Sequence, residues 1–206
     1  MSMNFYVYPK EKGMPCYEDV ISLANKYVNG YLLDIGITKK LLLNVELVDS
    51  TTNQEIPFSR RDSMKQGEDK YTWFYYGGMP GGTDCRFHNY LSIDKEIWNE
   101  KIVLKEYDET INDVIRHNMN VGYFWSTRRT AGQPAHIILA YGMVAAALAA
   151  LTSGMIFSDD GAWDIDVLPA KADDFVRWYY RPEFAKRMED VKRSEWGIAE
   201  LRRLLA

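Results

Sequence analysis

Between Arg129 and Asp159 the chain carries no formal charge, and within that interval residues 137–151, "IILAYGMVAAALAAL", are apolar or small at all fifteen positions. Such a run has to be buried, either in a protein core or in a bilayer. Crossing a bilayer takes about 20 residues at about 1.5 Å each. The run ends earlier, at Thr152, Ser153 and Gly154, and six of its fifteen residues are alanine, which drives insertion weakly. The expectation is therefore a core helix with no membrane span. Gln133-Pro134 opens it, since Pro suits a first turn, and Gly154 closes it. Its apolar character extends all round, so it should be buried on most sides. Ala140, Gly142, Ala146, Ala147, Ala149 and Ala150 would let neighbouring elements approach closely.

A helix of that kind needs other elements to cover it. The 206 residues are enough for one substantial core, and no repeat, low-complexity tract or linker divides them, so one domain over 1–206 is expected. "FYVY" at 5–8 opens as a strand. Residues 17–28 follow with helical spacing of Tyr17, Val20, Ile21, Ala24, Tyr27 and Val28, stopped by Asn29-Gly30. "LLLNVELV" at 41–48 and "YTWFYY" at 71–76 read as strands, and "YLSI" at 90–93 as another that pairs across the glycine loop 77–84. Residues 50–70 read as a second loop. Asp108 caps a helix with Ile111, Val114 and Ile115 inward, "GYFWS" at 122–126 is a short strand, and "MIF" at 155–157 another. Helices at about 170–180, 183–190 and 195–205 complete an α+β chain: a mostly antiparallel sheet, a buried Ala-rich central helix and a helical C-terminal region.

Just past the central helix, "SDDGAWDID" places Asp159, Asp160, Asp164 and Asp166 around Trp163. A calcium loop of EF-hand type is excluded, because Asp159 and Asp160 abut Gly161 and the position six further on is Val167 where a Glu is needed. A looser divalent-cation site on two of these carboxylates stays open, as does an ordinary turn, for which Ser, Asp and Gly are well suited. A third reading makes the segment a binding surface, with Trp163 as an apolar anchor inside a ring of negative charge. Trp163 folding back into the core is the competing placement.

Catalytic sets are hard to assemble from the rest. Cys85 and His88 in "DCRFH" are three apart, which on a strand puts them on opposite faces. Ser158 beside Asp159 lacks a nucleophile elbow, and "GGMPGG" at 77–82 lacks the order of a phosphate loop. Arg128-Arg129 before "TAGQP" could hold an anionic group, although such a pair is more often a solvated approach to a helix or a partner for nearby carboxylates. No catalytic residue, resident metal or cofactor is expected. Cys16 and Cys85 allow at most one disulfide, and reduced thiols are the simpler expectation. "MSMNFYVYPKEKG" lacks the pattern of a secretory signal, so the expected address is cytoplasmic. A net charge of −4 argues against nucleic acid as the partner.

"LTSGMIFSDDGAWD" after an Ala-rich helix, followed by "PAKADDFVRWYYRPE", resembles the immunity proteins encoded beside bacterial polymorphic or contact-dependent toxins, over about residues 120–185. The resemblance implies a non-catalytic protein-binding module that neutralises one cognate toxin domain, possibly a basic one, by tight binding. The candidate contact residues are then Asp159, Asp160, Trp163, Asp164 and Asp166. The alternative is a divalent-metal-dependent enzyme that uses the same carboxylates.

Overall fold

The computed structural model describes residues 2–104, 106–158, 161, 163 and 167–206. Eight strands form one sheet: β1 (Ser2–Tyr8), β2 (Leu43–Asp49), β3 (Glu55–Ile56), β4 (Lys70–Tyr76), β5 (Thr83–Asn89), β6 (Tyr123–Thr130), β7 (Met155–Phe157) and β8 (Ala170–Lys171). Their order across the sheet is β3-β2-β4-β5-β6-β1-β7-β8, and every neighbouring pair is antiparallel. Six helices accompany it among the described residues: α1 (Tyr17–Asp34), α2 (Ser92–Val103), α3 (Glu109–Val121), α4 (Ala135–Leu151), α5 (Ala172–Trp178) and α6 (Met188–Leu205). The fold is α+β with an antiparallel sheet. None of these helices is long and apolar enough to cross a membrane.

The alternation of side chains along β1 shows how the layers are arranged. Phe5 and Val7 point into the main core, which α1, α4, α5 and α6 build on one face of the sheet. Tyr6 and Tyr8 point the other way, into a smaller cluster with Trp98 of α2 and Ile111, Val114 and Ile115 of α3. α4 lies in the main core with every residue from Ala135 to Ala149 buried, as its uniform apolar character requires. Small residues make that burial possible: a β-carbon on Gly142 would enter the ring of Tyr179, whose hydroxyl donates to the carbonyl of Ile138 at 2.8 Å.

Several boundaries differ from the sequence expectation, each for a local reason. α1 runs through Asn29-Gly30, because Asn29 turns its amide to the Leu41 backbone, with hydrogen bonds of 2.8 and 2.9 Å, and caps nothing. The N-terminal amides of α1 are satisfied by the loop from β3 to β4: Glu18 N–H donates to the Arg60 carbonyl at 2.8 Å and Tyr17 N–H to that of Asp62 at 3.2 Å. The strand after the glycine loop is β5; residues 92–93, placed in a strand by their composition, begin α2, where Asp94 accepts from Leu91 N–H at 2.7 Å. α4 ends as expected, but Ser153, with φ of 50°, takes the left-handed position. Gly154 is required instead by the backbone of Tyr8, which leaves no room for a β-carbon. No helix covers 183–187, and α6 starts at Met188 as one helix where two were expected.

A candidate interaction face

Trp163 is 1% exposed, and it does not present a contact surface as the binding reading required. Its indole stacks on Trp178 at 6.4 Å and meets the Tyr179 ring edge-on at 5.1 Å, with Tyr180 at 6.2 Å. The consecutive aromatics 178–180 form a socket, and burying an indole there outweighs leaving it in water. Asp159, Asp160, Asp164 and Asp166 lie outside the described residues. Among the described residues, no group of three or more His, Cys, Asp or Glu is placed to hold a metal ion.

The helices do not cover the sheet evenly. α2 and α3 pack on the β1 and β7 side, while the outward residues of β2, β4 and β5 carry no helix from either cluster. In β4, Thr72, Phe74 and Tyr76 are buried in the main core direction, so Tyr71, Trp73 and Tyr75 stand on the outer face, half-buried. The register extends this face across five strands: Glu46 opposes Trp73, Trp73 opposes Asp84, Asp84 opposes Arg128, and Arg128 opposes Asn4. A second row runs Arg86, Ser126, Tyr6 and Phe157.

These side chains are held in place by one another. Arg86 lies over the Tyr71 ring at 5.0 Å, and Tyr71 meets Trp73 edge-on at 6.5 Å. Trp73 in turn covers Gly82, where any β-carbon would strike the indole. Arg128 donates from Nε to both oxygens of Asp84, at 3.1 and 2.9 Å. The hydrogen bond to Asp84 holds the Arg128 guanidinium above its ordinary pKa. Glu46 accepts from the Tyr75 hydroxyl and raises its pKa. His88 stacks on Phe124 at 4.8 Å, and its Nε2 sits 2.7 Å from Ser126 Oγ. Burial and then the nearby Arg86 lower the His88 pKa, which favours the neutral ring. Among the described residues no carboxylate hydrogen-bonds His88, so the third group that orients a Ser-His pair for nucleophilic attack is not assembled there.

Where the second row reaches β1, the face opens into a groove of about 360 Å³ lined by Tyr6, Tyr8, Ile97, Trp98, Phe124 and Phe157, with Asp94 and Lys101 of α2 as its charged members. Its outer wall is α2, which buries only Trp98 and leaves Ile93 and Ile97 about half exposed. The result is a surface that mixes Tyr, Trp, Phe and Ile with charged groups of both signs, Glu46, Asp84, Asp94, Arg86, Arg128 and Lys101, on a sheet and one helix. The sequence signal was the aromatic run "KYTWFYY": both faces of that strand are apolar, so its outer face has no polar coat for water. Cys85 and His88 do point to opposite faces, with Cys85 fully buried in the main core, where burial pushes its thiol pKa up. No family model, curated protein or solved structure matches the chain.

Proposed function

We propose that this chain is a non-catalytic protein-binding module that neutralises a cognate bacterial toxin by tight binding, in the manner of an immunity protein. The observation that supports it is the uncovered Tyr71, Trp73, Arg86 and Arg128 face, continuous with the groove beneath α2. Trp, Tyr and Arg are the residue types that dominate interface energies, and rings already fixed by neighbours lose little side-chain freedom on docking. A broad sheet face bordered by a helix that leaves Ile93 and Ile97 half exposed suits a protein surface better than a small substrate, which needs enclosure on most sides. In this reading the aromatic anchor is Trp73 on the sheet in place of the buried Trp163.

The test uses the product of the neighbouring reading frame. Co-expression of this chain should restore growth to cells producing it, and the purified pair should bind with submicromolar affinity. Trp73→Ala and Arg86→Ala should each weaken binding by about tenfold or more, as anchors at the centre of an interface do. Loss of rescue and binding altogether sinks the functional reading. Full binding by both variants moves the interface elsewhere on the chain.

A further inference from the structure

Arg128 and Arg129 are adjacent in β6 and therefore point to opposite faces; Arg128 joins the open face, while Arg129 enters the helix-covered side, where it is 4% exposed. Its surroundings do not match its charge. Among the described residues its one side-chain acceptor is the thioether of Met3, directly opposite in the sheet register, with Nη2 3.0 Å from Sδ. Its Cζ lies 5.5 Å from the centre of the Tyr141 ring. Its Nε is buried with no hydrogen-bond partner, and no described carboxylate pairs with it. A guanidinium cannot shed its proton, and a thioether is a weak acceptor, so this cation keeps an unmet demand for an anion.

Arg129 also lines a cavity of about 250 Å³ that it shares with Met3, Gln133, Ile138, Arg193 and Trp196. Arg193 reaches it from α6 while its Nη1 bonds Asp190 at 2.9 Å, so a second guanidinium is held at the lining. Trp196, half exposed on the same helix, and Ile138 of α4 supply an apolar wall. We infer that this cavity is a binding site for a small organic carboxylate with an apolar substituent: Arg129 takes the carboxylate, and Trp196 with Ile138 takes the hydrocarbon or ring. A guanidinium fork matches a carboxylate through two parallel hydrogen bonds. A phosphate fits less well, because its greater charge and third oxygen need more donors than this largely apolar lining offers. The site lies across the sheet from the interaction face and is independent of it.

The full chain is titrated calorimetrically with benzoate, acetate and inorganic phosphate, and its melting temperature is followed with each. Benzoate should bind saturably with Kd of about 1 mM or tighter and raise the melting temperature, and acetate should bind more weakly. Arg129→Met should weaken benzoate binding about tenfold or more. Without ligand its melting temperature should be unchanged or higher, since a buried unpaired charge has been replaced by an apolar chain of similar length. Trp196→Ala, at a half-exposed position that does not threaten the fold, should narrow the preference for benzoate over acetate. The inference is overturned by absent or non-saturable benzoate binding, by phosphate binding more tightly than benzoate, or by either variant binding benzoate as the wild type does.

Discussion

Asp84 and Arg128 sit opposite each other on β5 and β6, the carboxylate almost fully buried and the guanidinium half exposed above it. The asymmetry sets what each substitution should do. Arg128→Met strands a buried carboxylate without its cation and should cost about 1–3 kcal/mol, less than a fully buried pair because one partner keeps its water. Adding Asp84→Asn removes the charge left behind, so the double variant should recover much of that loss. Urea unfolding of the two singles and the double, read as a cycle, measures the coupling.

Stability should fall as pH drops from about 7.5 to about 5.5, the window in which histidines take up protons. His136 is buried in the first turn of α4 with Nε2 3.2 Å from the Pro80 carbonyl, and its Nδ1 has no partner. Burial, the larger cause, lowers its pKa from the ordinary 6.5, opposed by the Pro80 hydrogen bond. As pH falls through 6.5 the unfolded chain therefore takes up a proton that the folded one refuses, so stability is lost on the acid side and regained above it. His88 adds to the slope with the same sign. Melting curves across that window should show a shallower slope for His136→Gln.

Two glycines inside helices should respond oppositely to alanine. Gly142→Ala drives a methyl group into the Tyr179 ring and should destabilise by about 1–3 kcal/mol despite the better helix former. Gly30→Ala in α1 meets nothing within 4 Å and should stabilise by about 0.5–1 kcal/mol. Chemical denaturation of both variants checks the contrast.

Ile97→Glu on the outer side of α2 should change stability by no more than about 0.5 kcal/mol, since that side chain is 46% exposed. Affinity for the partner should nevertheless drop, because the substitution replaces an apolar contact with a second carboxylate beside Asp94 in the groove lining. Binding measured beside a thermal melt separates the two effects.

Elements with a strong local period were readable from composition alone. The buried helix α4, the alternation in β2 and the Asp108 cap, which accepts from Ile111 N–H at 2.9 Å, follow from short-range rules. Features decided at long range were not readable. Nothing near Asn29 indicates that its amide ties α1 to Leu41, and nothing near Trp163 indicates that residues 178–180 form its socket. The interaction face escaped for a related reason. Tyr71, Trp73 and Tyr75 look like core material in a linear reading, and only the uneven distribution of helices over the sheet leaves them uncovered. Arg129 shows the reverse: of the readings open to the Arg128-Arg129 pair, the solvated one fails for Arg129, which lies beneath a helix layer.

The strand order has a consequence in time as well as in space. β1 is inserted between β6 and β7, with Val7 paired to Trp125 on one side and Ile156 on the other. During synthesis it lacks β6 until about 120 further residues have been made and β7 until about 150, the latter about 10–30 s at ordinary rates of translation. Throughout that interval a segment with aromatic side chains on both faces is exposed to the cytosol or to whatever compartment surrounds it. Holding factors thus have a defined target in the nascent chain, and the complete sheet, with the face proposed for the partner, exists only after translation has passed Lys171.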